Sequence, residues 1–367
     1  MLRGDEGLGM HSAGIDIGGT FTDVVLWDDG QGEFVTEKVL TTHQPQVGVI
    51  DGFARALGRG SLRAQDVQSV VHATTLATNA IIERQGARTA LITTRGFRDI
   101  LDMGMERRPV LYDLSFERAE PLVSRRLCRE VTERLAQDGR VLVDLDEEEV
   151  RLLGEDLERL EIEAVGICFL HSFRNPAHER RAREVLRERA PHLFISLSSE
   201  VAPEIREYER ASTTVANAYV QPVMSQYLSL LSRELAEMGF GGQVFVMLSS
   251  GGITTAQAAA GFPIRAVESG PAAGALASAF MGELIGEEKI LSLDMGGTTA
   301  KICLVDQGKP RLTSDMEVAR VYRFRKGTGL PLKVPTVELV EIGAGGGSIA
   351  HLDRFGLLRV GPQSAGA

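Results

Sequence analysis

A stretch of fifteen residues recurs in this chain in degenerate form. The stretch Asp16-Ile-Gly-Gly-Thr-Phe-Thr-Asp-Val-Val-Leu-Trp-Asp-Asp-Gly30 returns without a gap as Asp294-Met-Gly-Gly-Thr-Thr-Ala-Lys-Ile-Cys-Leu-Val-Asp-Gln-Gly308. Both copies keep the Asp, the Gly-Gly-Thr, a Leu, a later Asp and the closing Gly. Each follows a short apolar run and leads into another, Val24-Val25-Leu26 and Ile302-Cys303-Leu304. That order predicts strand, tight Gly-Gly turn, strand, made twice. Glycine tolerates positive φ and lets backbone N–H groups come close to a ligand, and such concavities suit phosphate. Asp16 and Asp294, each ending the first strand of its hairpin, are placed to hold Mg²⁺ beside those phosphates, since hard cations prefer oxygen ligands. The repeat therefore points to two related α/β domains with a nucleotide between them.

The 367 residues suffice for two domains with cores of their own, and 43% hydrophobic against 25% charged residues excludes a disordered chain. A formal charge of −10 argues against a nucleic-acid backbone or an anionic membrane as partner. Cys128, Cys168 and Cys303 lie far apart with no Cys-x-x-Cys, which suits a reducing cytoplasm and neither a disulfide framework nor a zinc ribbon. The polar, Gly-rich residues 1–12 lack a signal-peptide core and read as a flexible tail. The longest apolar run, Ala164 to Leu170, has the length of a buried strand, not of a membrane span.

After the first hairpin the pattern predicts a strand from Glu33 to Leu40, and then a helix from Pro45 to Leu57 with proline in its first turn. A strand Ser69–Ala73 follows, and a helix capped by the Thr74–Asn79 threonines, running to Gln85 and stopped by Gly86. Thr89–Thr94 is a further strand, completing the order β-β-β-α-β-α. Residues Arg118 to Glu163 are dense in charge and read as a solvated insertion, with Asp146-Glu-Glu-Glu149 opening a helix. Beyond it come strand 165–170, helix 176–189, strand 193–197, a long helix 208–238 and strand 244–248. Glu268 precedes a small-residue helix suited to a hinge, and Ile342-Gly-Ala-Gly-Gly-Gly-Ser-Ile349 is a glycine loop between short strands. About 60 residues follow the second hairpin, too few for a domain matching the first. The expected division is a first domain over 13–287 and the beginning of a truncated second over 288–367.

In order along the chain, the blocks 14–23, 72–80, 91–99, 108–114, 170–179, 207–214, 217–219, 269–274 and 294–299 resemble the hydantoinase A / 5-oxoprolinase family. Its N-terminal region corresponds to about 13–197 and its catalytic region starts at about 205. The resemblance implies the fold shared by actin, heat-shock chaperone ATPases and sugar kinases, built of RNase H-like domains. It implies ATP with Mg²⁺, and opening of a cyclic amide such as 5-oxoproline or a hydantoin by phosphorylating the amide oxygen. Some members instead serve ATP-dependent acetone or acetophenone carboxylases, and many work with a B-type subunit. A non-enzymatic nucleotide switch is a third reading, and oligomeric state stays open. Family members are longer and carry a later Gly-Gly-Ala-Gly adenosine loop, so this sequence is expected to be a fragment.

The candidate site follows from repeat and resemblance together. Asp16 and Asp294 would hold Mg²⁺ through water. Gly18, Gly19, Thr20, Thr22, Gly296, Gly297, Thr298 and Thr299 would contact phosphate, with Gly345 and Gly346 close by. Glu268, similar to the Glu of the chaperones' connecting segment, would orient water or act as a base, or would simply favour a helix start. His72, with Thr74, Thr75, Thr78 and Asn79, reads either as a substrate-pocket wall or as helix capping beside one core histidine. Arg107, Arg108, Tyr112 and Asp113 read either as a clamp for a substrate carboxylate or as a charged loop. His171 and His178-Glu179 lack metal-ligand spacing and read as capping and packing.

Overall fold

A computed structural model describes residues 11–28, 32–107, 112–113, 116–297, 299–322 and 325–365. Strands β1 (His11–Ile17) and β2 (Phe21–Asp28) form the first hairpin, with β3 (Glu33–Leu40) antiparallel beside β2. Helix α1 (Pro45–Gly60) begins at Pro45, as expected, and buries Val49, Phe53, Ala56 and Leu57. It returns the chain so that β4 (Val67–Thr74) lies parallel to β1. Helix α2 (Leu76–Ile82) stops before Gln85. Gly86 is needed for packing, not for ending that helix: a Cβ there would overlap the Tyr219 ring.

Strands β5 (Thr89–Thr94), β6 (Cys128–Val131), β7 (Arg134–Leu135), β8 (Val141–Val143), β9 (Ala164–Cys168) and β10 (Phe194–Leu197) follow. Four of them form a parallel sheet in the order β10-β9-β5-β6. Every residue of β5 and β9 is buried, as befits parallel strands covered on both faces. The expected solvated insertion at 118–163 is corrected here. It supplies β6, the β7–β8 hairpin and a helix Glu147–Arg159, and it buries Val131, Leu135, Val150, Leu157 and Ile162. Its charges occupy the outer face of that helix while Val150 and Leu157, seven apart, point inward; an average over the segment conceals this period. The helix opens as expected, with Asp146 accepting from Glu149 N–H at 3.0 Å.

One long helix, Glu207–Glu237, ties the two sheets together. Residues 209–220 are buried on every side, so this stretch has no solvent-facing side. Ala211 and Val215 pack against Leu91 and Cys168 of the second sheet, whereas Met224, Tyr227 and Leu231 join the core of the first. Strands Gln243–Met247 and Ile253–Thr255 then complete the first sheet beyond β4. The small-residue helix Ser269–Ile285 leads to the second hairpin, Ile290–Met295 paired with Ala300–Asp306. Strand Leu339–Ile342 pairs with the latter, and the glycine loop runs from it to strand Ser348–Leu352. Among the described residues no helix is long and apolar enough to cross a membrane.

The two hairpins bury opposite faces. In the first, Ala13, Ile15, Ile17, Val24 and Leu26 are 0–3% exposed. Of their five counterparts, Leu291, Leu293, Met295 and Leu304 are 49–62% exposed and Ile302 is half-buried. The second hairpin instead turns Ser292, Cys303 and Val305 inward; Ser292 is bonded to Ser278 of the small-residue helix at 2.8 Å.

Packing at two glycines gives a test of this architecture. Gly86→Ala is expected to destabilise the fold by about 1–3 kcal/mol, because its methyl has no room beside Tyr219. Gly58→Ala, within α1 and with nothing near its Cβ, should stabilise by about 0.5–1 kcal/mol. Urea unfolding midpoints of the two variants measure both.

Candidate functional site

The two Gly-Gly turns are closed by the same hydrogen bond. Gly18 N–H donates to Phe21 O at 2.9 Å, and Gly296 N–H to Thr299 O at 3.0 Å. Neither Gly18 nor Gly296 has a positive φ; Gly18 answers to close approach instead. A Cβ on Gly18 would lie 3.1 Å from Phe21 O. Outward-facing carbonyls of each turn are occupied by a second loop. At the first, Thr41 N–H donates to Thr20 O (2.9 Å), Thr41 Oγ1 to Gly18 O (3.0 Å), and Thr75 N–H to Ile17 O (3.2 Å). At the second, the glycine loop does this work: Gly346 N–H reaches Gly296 O (2.9 Å) and Gly347 N–H reaches Gly297 O (2.8 Å). Gly345 has to be glycine, since a Cβ would come 2.5 Å from Gly296 O. With their carbonyls bonded behind, the turns present exposed Gly19 and Thr20 on one side and exposed Gly296 on the other.

Between the turns lies a group of charges. Asp16 stands opposite Asp23 in the β1–β2 register, and Asp294 stands opposite Lys301 in the second hairpin. Burial pushes the Asp16 carboxyl up to about 6, and the charges of Asp23 and Asp294 push the same way; Lys38 and Lys301 oppose them. Its Oδ1 is buried without a hydrogen-bond partner. The carboxylate rests against Gly270 in the first turn of the helix Ser269–Ile285, where a Cβ would come 3.1 Å from Oδ1. Asp23 is neutralised by Lys38 at 2.6 Å.

Glu268 caps that helix with a left-handed φ of 63° and forms an ion pair with Lys301, both side chains being largely covered. A buried carboxylate oxygen with no partner, among further carboxylates, fits a cation. Among the described residues no three His, Cys, Asp or Glu side chains converge to hold a metal by themselves. Ligands from water or phosphate would have to complete the shell.

The structure brings Asp16, Asp294, Glu268, the glycines of both turns and Gly345–Gly346 together. It gives others a different place. Thr22 is fully buried and shares a 3.1 Å hydrogen bond with Thr41; it braces the first turn and is not a phosphate contact. His72 is likewise sealed, its Nε2 bonded to Tyr227 Oη at 2.8 Å, and burial lowers its pKa to about 4. The pocket-wall reading of His72 is corrected accordingly: a neutral imidazole joins β4 to the long helix. Buried Thr74 exchanges hydrogen bonds with Ser269, Thr75 Oγ1 donates to Ile17 O, and Asn79 donates to Thr75. This constellation therefore welds β4 and α2 to the hinge helix and the first turn. His178 is buried and bonded to Glu133 at 2.8 Å, while buried Glu179 accepts from Phe169 N–H and Ser199 N–H.

Tyr112 is almost fully exposed, and Asp113 accepts from Tyr322 Oη at 2.8 Å. Arg107 lines a separate open cleft of about 1180 Å³ with Arg206, Tyr208 and Lys326, to which no hairpin residue contributes. Arg108 and Thr298 lie outside the described residues. Thr299 closes its turn through its carbonyl. The reading from sequence missed Lys301, Ser269, Gly270 and Thr41. A signal for Lys301 exists: in the ungapped repeat it occupies the position of Asp23.

Comparison with known proteins adds an independent line. A model of the hydantoinase/oxoprolinase N-terminal region matches residues 12–190, and a hydantoinase/oxoprolinase model matches 210–367. An uncharacterized protein of Methanocaldococcus jannaschii is 43% identical over 97% of the chain and 53% of its own length. Caprolactamase subunit alpha of Pseudomonas jessenii is 36% identical over 97% of the chain and 51% of its own length. A nucleotide-free structure of acetone carboxylase, from work on its ATP-dependent acetone carboxylation, superposes with a TM-score of 0.84 at 30% identity, over 98% of this chain and 51% of that one. The chain thus spans about half the length of the curated relatives it matches.

The raised Asp16 pKa has a measurable consequence. The native state holds this proton up to about pH 6, whereas an unfolded Asp loses it near 3.8. The native state therefore binds more protons between those values, and stability falls as pH rises through the window. Urea unfolding from pH 4 to 7 should show this decline in the wild type and a smaller one in Asp16→Asn.

Proposed function

The chain belongs to the hydantoinase/oxoprolinase family, and from that premise we propose that it is part of an ATP-dependent hydrolase that opens a cyclic amide of the lactam, 5-oxoproline or hydantoin type. The observation that carries this reading is the facing pair of identical turns with Asp16, one oxygen unpartnered, between them. On this reading the fold is of the actin and chaperone-ATPase kind, with a first domain over 13–287 and the start of a second at 288. Caprolactamase, a relative described as ATP-dependent, acts on a cyclic amide by its name. Its subunit designation supports a companion subunit here, of the B type.

In the proposed mechanism the Gly-Gly backbones of the two turns hold the phosphates, and Asp16 and Asp294 would hold Mg²⁺. When bound, Mg²⁺ would neutralise charge on the phosphoryl group in flight. The amide oxygen takes the γ-phosphoryl, which makes its carbon electrophilic. Water then adds to that carbon and the carbon–nitrogen bond breaks, the nitrogen leaving as an amine. A second water releases phosphate from the resulting acyl phosphate. Glu268, at the mouth of the hinge helix, is the carboxylate available to orient water. Positioning and charge neutralisation carry most of such a transfer, which matches a site rich in backbone donors and poor in nucleophiles.

A second reading is favoured by the acetone carboxylase likeness: a subunit of an ATP-dependent ketone carboxylase, phosphorylating an enolate oxygen at the same turns. The two separate by substrate. ATP hydrolysis by the full-length gene product with Mg²⁺, with and without its B-type companion, is to be measured against 5-oxoproline, lactams, hydantoins, acetone and acetophenone, with and without bicarbonate. Stimulation by a cyclic amide with ring-opened product is expected; stimulation only by a ketone with bicarbonate would move the protein to the carboxylases. Asp16→Ala and Asp294→Ala should each lower turnover by at least about a hundredfold with an unchanged circular dichroism spectrum. Wild-type rates in both would sink the assignment.

A further inference from the structure

We infer that Lys301 is a phosphate-contacting residue, and that its ion pair with Glu268 is a latch which the entering phosphate must open. The inference rests on the nucleotide reading above and goes past it, since neither the repeat nor the family comparison assigns Lys301 or the pair a role.

The two hairpins share a backbone but carry opposite charges at one equivalent position. Opposite Asp16 stands Asp23; opposite Asp294 stands Lys301. Asp23 has its own counter-ion in Lys38, with both side chains about half exposed. Lys301 has no solvated alternative of that kind: it and Glu268 are 16% and 15% exposed. Its charge nevertheless reaches Asp16 across the gap between the hairpins. A cation held there, beside the two turns, faces the place where a phosphate bridging both would sit.

A covered cation leaves one anion only for another. Phosphate, with several charge-dense oxygens, is such an anion. Glu268 can be released because of where it sits. It caps a helix of 17 residues, whose first-turn amides and dipole favour a carboxylate. Its backbone N–H is bonded to Thr78 Oγ1 at 3.3 Å, and Ser269 is bonded to Thr74. The cap therefore stays in place while the side chain turns away. In the empty cleft Lys301 is spent on Glu268; with phosphate present the carboxylate is free to face the water or substrate. The same residue pair also joins the start of the hinge helix to the second hairpin, so opening it loosens an ionic tie between those two elements.

This arrangement predicts effects of opposite sign from the two partners. A latch lowers apparent affinity by the fraction of molecules in which Lys301 is free. Glu268→Gln should therefore bind ATP·Mg²⁺ more tightly, by about three- to tenfold, while Lys301→Met binds it about tenfold more weakly and Lys301→Arg recovers most of the loss. The experiment is calorimetric titration of the full-length gene product and these variants, each first checked for folding by circular dichroism. Weaker binding in both Glu268→Gln and Lys301→Met would identify the pair as a structural brace and overturn the inference. Unchanged affinity in Lys301→Met would overturn it as well. Should the wild type bind no nucleotide, the nucleotide reading itself falls and takes the latch with it, an outcome distinct from either of those. If Lys301→Met fails to fold, Lys301→Gln and the charge-keeping Lys301→Arg carry the comparison.

Discussion

An oxygen of Asp16 is kept out of water with nothing bonded to it, and much of the surrounding structure can be understood as what is needed to keep it so. A carboxylate in that condition is costly for a fold unless a cation or a proton arrives. Gly270 permits the helix start to close over it, Thr75 anchors the strand end beside it, and Thr41 fixes the turn next to it. Threonines that look in sequence like a ligand shell prove to be the brackets that hold this carboxylate at the mouth of the site.

The long helix Glu207–Glu237 supplies the rigidity on which that arrangement relies. Its first half is buried on all sides, and its polar groups are tied down there: Arg210 donates to the carbonyls of Phe169 and Glu204, though its Nε is buried without a partner, and Thr213 and Thr214 donate to carbonyls one turn back. Both sheets are therefore packed on one rod. His72 and Tyr227 form one polar tie between that rod and the sheet that carries Asp16.

How much could be read from the residues depended on whether the signal was local. The duplicated hairpins, the proline start of α1, the Asp146 cap and the glycine loop over 343–347 are all written in consecutive residues, and the structure has them where the pattern puts them. The strand Cys128–Val131 and the buried face of the helix at 147–159 were hidden because their apolar positions are few and widely spaced among charges. Thr22 was misplaced, and His72 left between two readings, for another reason: a polar residue next to a site looks the same in sequence whether it faces the ligand or braces the wall. Lys301 went unread although the repeat aligns it with Asp23, because a comparison made for likeness passes over the positions where the copies differ.

That difference has a consequence for anything that spans the two turns. Two hairpins with matching backbones are related by an approximate symmetry, and symmetry alone would let an elongated ligand bind either way round. With an acid in one copy and a base in the other, the two orientations are no longer equivalent. The duplication thereby acquires a polarity, and an asymmetric molecule spanning both turns would find a distinct head and tail.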